Sequence, residues 1–241
     1  MKKVFSILIV AFAVTAMVAC NKDNHNDTED PDWVDLGLPS GLLWAKCNVG
    51  ATTPEGYGDY FAWGETVSKD YYYRDTYIYY KDQGEGHFQL TKYCTDASYG
   101  YNGFVDSLTT LEPEDDAATV NLGNGTRTPT KEEWVELLNN VTAVWTTKNG
   151  VNGLRFTAAN GKSIFLPASG TLFLDETIAE GSYGFYWSAS LGKSIGEDKI
   201  SPNLAWQLNF REDFSNDLLR LMHSYYRING CNVRAVKSAT K

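Results

Sequence analysis

The sequence is poor in the residues that build metal centres and histidine-based active sites. It contains three histidines and four cysteines among 241 residues. Neither His87 nor His223 lies in a nucleophile motif, so the sequence does not predict a Ser-His-Asp triad. The carboxylates of residues 112–116 crowd one helix start, where complementarity to the helix dipole explains them better than glycosidase chemistry does. We therefore expect a protein without enzymatic activity and without a resident cofactor.

Basic residues and long apolar runs are also scarce. The 21 lysines and arginines are outnumbered by 30 aspartates and glutamates, which gives a formal net charge of −9. Because neutralising phosphates needs a basic face, we expect no nucleic-acid partner. Beyond the first twenty residues, no apolar run approaches the roughly 20 residues that span a bilayer. With 43% hydrophobic and 21% charged residues, the rest of the composition is that of a folded globular chain.

The N-terminal segment has the layout of an export signal. The apolar stretch Val4–Val18 follows two lysines, and residues 17–20 read Met-Val-Ala-Cys. About 15 apolar residues are too few to span a bilayer but suit a signal sequence. The tetrapeptide resembles the lipobox of bacterial lipoproteins, which implies that residues 1–19 are a signal peptide and that Cys20 carries lipid. A plain secretory signal with a chance cysteine is the alternative.

Residues 20–32 form a second distinct segment. After the cysteine this segment has no apolar residue, so it predicts a flexible acidic tether. An acidic stretch directly after a lipid-bearing cysteine resembles the signal that sends lipoproteins of Bacteroidetes-type bacteria to the outer face of the outer membrane. The resemblance implies a lipid-anchored protein exposed at the cell surface. A solvated linker without routing information is the alternative.

No linker interrupts residues 33–241, which we interpret as one domain. Its clearest helix covers residues 130–140, where Thr130 and Glu133 form a capping box ahead of an apolar stripe. A second, short helix is predicted over residues 113–120. Strands and turns are indicated elsewhere, at residues 154–157, 162–166, 186–190, 204–210 and 231–237. Two helices with short strands and long irregular loops favour an α+β fold.

Two expectations concern the packing around these elements. Arg127 precedes the longer helix, and Asp115 or Asp116 is predicted to form a buried ion pair with it that fixes the helix start. Four tryptophans on apolar faces are expected to pack in the core, namely Trp44, Trp134, Trp187 and Trp206.

Several segments together resemble a known family. They read WVDLGLPSGLLWA at residues 33–45, NVGA at 48–51, YGDYFAWGE at 57–65, PEDDAA at 113–118, RTPTKEEW at 127–134, SYGFYWSAS at 182–190 and VRAV at 233–236. This series is similar to the Fibrobacter succinogenes major paralogous domain of surface lipoproteins from gut Bacteroidetes. The helix start and the late Tyr-Trp-Ser strand also resemble the wider C-type-lectin-like fold. The resemblance implies a C-type-lectin-like domain over residues 33–241. Formylglycine-generating enzymes share that fold, but this sequence lacks the closely spaced cysteine pair that their activity needs.

The function expected from this resemblance is binding or adhesion at the cell surface, with a glycan or a host or matrix protein as ligand. A structural role in a fimbria-like or other surface assembly is the alternative. Tyrosine offers an apolar face and a hydroxyl, which suits both glycans and protein surfaces. We expect at least two tyrosines of residues 71–101 to expose ring surface beside a concavity, and the alternative is that this segment folds back as a second small core. The candidate ligand-binding residues are Tyr71, Tyr72, Tyr73, Tyr77, Tyr79 and Tyr80.

Three smaller predictions concern a calcium site, a disulfide and a glycan. Oxygen ligands for calcium are present at Glu212, Asp213, Asn216 and Asp217, although a solvated acidic loop explains them as well. Of the three cysteines that follow residue 20, Cys47 and Cys94 are our choice of disulfide pair, and a fully reduced chain is the alternative. The tripeptide Asp-Ser-Leu at 106–108 resembles the sites of O-glycan attachment in exported Bacteroidetes proteins, which implies a glycan on Ser107. The ligand and the oligomeric state stay open.

Overall fold

The structure, a computed structural model, describes residues 32–123, 125–194, 199–214 and 217–239. These ranges contain two α-helices, α1 (Ala117–Leu122) and α2 (Lys131–Asn139). They also contain fourteen strands, which are β1 (Trp33–Asp35), β2 (Leu42–Asn48), β3 (Tyr80–Asp82), β4 (Phe88–Leu90), β5 (Thr126–Arg127), β6 (Val141–Lys148), β7 (Val151–Ala158), β8 (Ser163–Pro167), β9 (Thr171–Phe173), β10 (Glu176–Ile178), β11 (Tyr183–Lys193), β12 (Ile200–Arg211), β13 (Met222–Tyr226) and β14 (Arg234–Ser238).

The fold is predominantly β, so the predicted α+β, C-type-lectin-like fold is wrong. The strands form five small antiparallel sheets, with the orders β1-β2-β14-β5, β6-β7-β8, β11-β12-β13, β9-β10 and β3-β4. The two described helices span only six and nine residues. The strand content is higher than the sequence predicted. One reason is that β11 is buried on both faces along most of its length, which hides the alternation of apolar and polar residues that marks a strand.

Helix α2 begins as the capping box predicts. The Thr130 hydroxyl accepts a hydrogen bond from the Glu133 backbone N–H at 3.3 Å, and the Glu133 carboxylate accepts one from the Thr130 N–H at 2.8 Å. The buried stripe consists of Trp134, Leu137 and Leu138. This reciprocal pairing satisfies two N–H groups that have no partner inside the helix.

The segment predicted as a second helix forms two separate elements, one on each side of Asp116. Pro113–Asp115 forms a 3-10 turn, and α1 begins only after Asp116, whose carboxylate accepts from the Ala118 N–H at 2.9 Å. The same carboxylate accepts from the Thr128 N–H at 2.8 Å and from the Thr128 hydroxyl at 2.6 Å. Asp116 is buried at 3% exposure. It therefore caps α1 and ties that helix to the chain that leads into α2.

The ion pair predicted for Arg127 forms with a different partner. The Arg127 guanidinium donates to both oxygens of Glu133, at 2.6 and 2.5 Å, and not to Asp115 or Asp116. Asp115 instead accepts from Lys92 Nζ at 2.6 Å. Burial raises the pKa of the Glu133 carboxyl, but the hydrogen bonds and charge of Arg127, together with the hydrogen bonds of Thr130, outweigh it and lower the pKa. Glu133 of the capping box is therefore the counter-ion of Arg127, a role that we expected Asp115 or Asp116 to have.

Strand β11 separates two hydrophobic cores. Trp187 points into a first core with Trp63 and Tyr93, and the neighbouring Tyr186 points into a second core with Trp134. Side chains alternate across a strand, so one strand serves both cores. Trp44, Trp134 and Trp187 are buried as predicted.

Trp206 departs from the prediction that all four tryptophans are core residues. It is half-buried, with Lys131 Nζ 5.4 Å from its ring centroid. On this strand Ala205 and Gln207 are fully buried instead. Buried residues lie on both faces of β12, for example Ala205 and Leu208, so apolar alternation did not show which face is deeper.

A buried arginine joins three strands. Arg234 on β14 donates through Nε at 3.0 Å and Nη2 at 2.7 Å to Asn48 Oδ1 on β2. It also donates to the backbone carbonyls of Ala45, Lys46 and Phe165, at 2.9, 2.6 and 3.0 Å. Its side chain is fully buried, and this burial lowers the pKa of Arg234. All of these acceptors are neutral, so Arg234 fixes the backbone of β2 and β8 by hydrogen bonds, without a carboxylate partner among these contacts.

The described cysteines are free thiols, and the predicted Cys47–Cys94 disulfide is not formed. Cys47 is half-buried on β2, whereas Cys94 is buried in the first core and donates through Sγ to the Asp96 carbonyl at 3.2 Å. The third thiol, Cys231, is fully buried, and burial raises its pKa to about 12. The fully reduced alternative is therefore the one that the structure shows. The two hydrophobic cores provide the packing that allows a domain to fold without a disulfide.

Candidate functional site

The tyrosine-rich segment at residues 71–80 is divided between core and surface. Tyr72, Tyr77 and Tyr79 are 0%, 2% and 8% exposed, so the prediction that these three contact a ligand is wrong. Their hydroxyls donate to backbone carbonyls inside the fold, including Tyr77 to Trp63 at 2.7 Å and Tyr79 to Gly64 at 3.0 Å. They are core residues with satisfied hydroxyl groups.

Arg227 packs against two of these buried tyrosines, Tyr77 and Tyr79. Its guanidinium carbon lies 5.0 Å from the Trp63 ring centroid, and its Nε donates to the Tyr77 hydroxyl at 2.5 Å. Its Nη1 donates to the carbonyls of Tyr93 and Pro202, at 3.0 and 2.9 Å. A desolvated guanidinium over aromatic faces is strongly attracted to them. The wall behind the surface tyrosines is therefore rigid.

Tyr73 and Tyr80 line a surface cavity of about 470 Å³, which we call the aromatic groove. Tyr71 is 38% exposed and lies outside the groove wall, with its ring centroid 6.4 Å from that of Tyr73. The groove is lined by aromatic, aliphatic, amide and guanidinium side chains, namely Tyr73, Arg74, Tyr80, Phe88, Phe173, Ile178, Asn203, Tyr225, Tyr226, Ile228 and Asn229.

Most of the groove comes from segments that sequence reasoning did not select. Phe173 ends β9, and Tyr225 and Tyr226 end β13 directly before the buried Arg227. The consecutive tyrosines carry the signal that could have found this wall, because neighbouring residues on a strand point to opposite faces and cannot both be buried in one core. Tyr226 is 59% exposed at the rim.

Two backbone bridges fix the distance between the walls. Tyr72 and Leu174 exchange hydrogen bonds of 2.8 and 2.9 Å, which holds the Tyr73 wall against the Phe173 wall. Leu172 and Gly230 exchange two bonds of 2.8 Å, which holds the Phe173 wall against Asn229. A Cβ added at Gly230 would lie 2.9 Å from the Leu172 Cβ, so this approach needs glycine. The groove is therefore preformed.

The groove combines ring faces with amide groups. The ring centroids of Tyr73 and Phe173 are 5.9 Å apart, and those of Tyr80 and Phe88 are 6.2 Å apart. The Tyr80 hydroxyl donates to Asn203 Oδ1 at 3.0 Å, which orients both side chains. Such a set can stack on the apolar face of a ligand and hydrogen-bond to its hydroxyls.

Two of the three acidic candidates for calcium are engaged in ion pairs. Asp213 pairs with Arg211, and Asp217 lies 3.4 Å from Arg220. Asn216 lies outside the described residues, and Glu212 is exposed. Within the described ranges, no group of three or more His, Cys, Asp and Glu residues could hold a metal ion.

The two modification candidates differ in what the structure shows. Ser107 is exposed. The adjacent Asp106 accepts hydrogen bonds from the backbone N–H groups of Tyr93, Cys94 and Leu108, at 2.7, 3.0 and 3.2 Å, so this aspartate also holds the loop. Cys20 lies outside the described residues, as does nearly all of the tether at residues 20–32.

Comparisons of the chain with protein-family models, with curated proteins and with solved structures gave no match. The family resemblance therefore stays a prediction. Among the described residues, no helix is both long and apolar enough to cross a membrane.

Proposed function

We propose that this protein is a non-enzymatic binding or adhesion module that is anchored to the outer membrane by lipid on Cys20 and displayed at the cell surface. The ligand is a glycan that occupies the aromatic groove. The anchoring part of the proposal rests on the signal layout and the lipobox resemblance in the sequence. The binding part rests on the groove.

The observation that carries the binding proposal is a preformed concavity with solvent-accessible rings on several walls. Tyr226 and Tyr73 offer ring faces, and Asn203 and Asn229 offer amide groups beside them. The Asn229 side chain lines the groove, although the residue as a whole is only 4% exposed. An amide that faces a groove can both donate to and accept from the hydroxyl groups of a ligand. Sugars present both an apolar face and hydroxyls.

The test is a glycan array probed with a chain that starts at residue 21 and so lacks the lipid-bearing Cys20. Calorimetric titration of the best ligand follows. The array is run with and without a chelator, and we expect the same binding in both. Tyr226→Ala should weaken binding at least tenfold, because loss of a buried ring contact at an interface costs about 1.5 kcal/mol or more. Binding to matrix proteins, and not to glycans, would identify the other ligand class.

A matched control separates the groove from general surface stickiness. Tyr99 is 37% exposed and does not line the groove. Tyr99→Ala should therefore leave the affinity unchanged. If Tyr99→Ala and Tyr226→Ala weaken binding equally, or if no glycan and no matrix protein binds, the groove is not the binding site.

A further inference from the structure

We infer that a second cavity binds an oxyanion, the sulfate or phosphate ester group of an acidic ligand. This cavity of about 410 Å³, which we call the basic groove, shares no lining residue with the aromatic groove. Three cations line it, namely Lys46, Lys148 and Arg155, together with the hydroxyl groups of Thr147 and Ser163. Such a concentration of positive charge is unexpected on a chain with a net charge of −9.

The sheet β6-β7-β8 builds the floor of the basic groove. Arg155 on β7 lies in register between Val144 on β6 and Phe165 on β8. A Cβ added at the neighbouring Gly153 would lie 2.6 Å from the Phe165 Cζ, so glycine leaves room for this ring. Phe165 is 6% exposed and lines the groove. The exposed Arg155 side chain therefore lies beside a buried aromatic ring.

A buried positive charge lies directly behind this floor. The Arg234 guanidinium donates to the backbone carbonyls of Lys46 and Phe165, which are both groove residues. All of the hydrogen-bond acceptors described above for Arg234 are neutral. Because the group is fully buried, solvent screens its charge less than that of a surface cation. Arg234 therefore adds to the positive potential in the groove.

One carboxylate beside the groove offsets part of this charge. Glu55 follows the lining residue Pro54, and its Oε1 accepts from Asn149 Nδ2 at 2.7 Å. That hydrogen bond, with a contribution from Lys148, lowers the pKa of Glu55, so the group is ionised at neutral pH. Even without Lys46, the cations Lys148 and Arg155 outnumber the neighbouring Glu55 carboxylate and leave a positive excess. A guanidinium fork, ammonium groups and hydroxyls are the donor set that sulfate and phosphate groups take.

The test is an NMR titration of the mature chain from residue 21 with sodium sulfate and with sodium phosphate, against sodium chloride at constant ionic strength. We expect saturable shifts of the backbone amides of Thr147, Lys148, Arg155 and Ser163. Arg155→Gln should weaken the affinity about tenfold, because a hydrogen bond between charged groups is lost. Glu55→Gln should tighten it about threefold, because a nearby negative charge is removed while the acceptor for Asn149 is kept.

The opposite signs of these two effects distinguish a site from simple damage to the fold. Lys81→Gln is the matched control, since Lys81 is an exposed lysine outside the groove and its loss changes the net charge by the same amount as the loss of Arg155. It should change the affinity less than twofold. Linear shifts spread over the surface, a Lys81→Gln effect equal to that of Arg155→Gln, or weaker binding by Glu55→Gln would each overturn the proposal.

Two further arms identify where the oxyanion comes from. A sulfated oligosaccharide is compared with its desulfated counterpart, and vesicles containing phosphatidylglycerol are compared with neutral vesicles. Tighter binding of the sulfated sugar, sensitive to Arg155→Gln, assigns the site to acidic glycans, and vesicle binding with the same sensitivity assigns it to lipid phosphate. Tyr226→Ala should alter none of these results, so failure of the aromatic groove would leave this site intact.

Discussion

Replacing Asp116 with alanine should be among the most destabilising single changes in the chain. The carboxylate accepts hydrogen bonds from the Ala118 N–H and from both the N–H and the hydroxyl of Thr128. Loss of the helix cap costs about 1 kcal/mol. The two Thr128 donors, in a residue that is 1% exposed, would be left buried and unpaired at about 1.5 kcal/mol each. We therefore expect Asp116→Ala to lower the free energy of unfolding by about 4 kcal/mol.

The assay is urea unfolding followed by tryptophan fluorescence, with a thermal scan in parallel. A loss of this size should lower the melting temperature by about 10 °C in a domain of this length. Asp116→Asn keeps one acceptor oxygen but turns an amide towards a Thr128 donor, so it should cost about 2 kcal/mol. In a double-mutant cycle, Thr128→Val should recover part of the loss, because it removes the stranded hydroxyl.

The control is a carboxylate from the same turn. The Glu114 side chain is 68% exposed and lies 4.0 Å from Lys92. Glu114→Ala should change the free energy of unfolding by less than about 0.5 kcal/mol. If Asp116→Ala costs no more than Glu114→Ala, the buried hydrogen-bond network does not stabilise the domain and the reasoning is refuted.

Four other perturbations have expected outcomes. The hydrogen bonds of Arg127 lower the pKa of Glu133 below its ordinary 4.5, so their stabilising effect is present above that pH and is lost as the pH falls through the pKa of Glu133 in the folded state. Arg127→Gln should therefore reduce the loss of stability at acid pH, measured by urea unfolding at a series of pH values. An unchanged pH dependence would contradict this. Gly230→Ala should shift the groove walls and abolish glycan binding in calorimetry while the chain stays folded by circular dichroism; unaltered affinity would show that the close approach is unnecessary. Cys20→Ser should move the protein from the detergent-extractable membrane fraction to the supernatant in cell fractionation, and retention in membranes counts against lipidation. Intact mass of the protein from its native host should show a glycan increment that Ser107→Ala removes; a mass without any increment eliminates the modification.

Local signals predicted the parts of the fold that short-range chemistry controls. The capping box at Thr130 and Glu133 gave the start of α2 because its partners are three residues apart. The strands predicted at residues 154–157 and 162–166 correspond to β7 and β8, which pair with each other across the Asn-Gly turn at residues 160–161. Strands buried on both faces, such as β11, lack the period-two pattern, so their length and the β-rich class were missed.

The site was only partly accessible to sequence reasoning for the same physical reason. Clustered tyrosines indicated a ligand surface, but three of them are buried, and two of these, Tyr77 and Tyr79, pack against Arg227, which lies about 150 residues further along the chain. Nothing in residues 71–80 encodes that distant partner. The basic groove was missed because its cations are scattered along β2, β6 and β7 and converge only in the folded sheets.

The position of β14 inside its sheet has a consequence for synthesis. This strand lies between β2 and β5, so a strand that is made late in the domain fills the centre of a sheet whose edge is made first. Arg234 bonds to acceptors up to 189 residues away in sequence. While the chain leaves the ribosome N-terminus first, β2 has no inner partner and both cores lack a wall. The ribosome must therefore translate the chain through β14 before the domain can close. On the export route that we propose, a machinery that threads unfolded chains would meet the domain before that point.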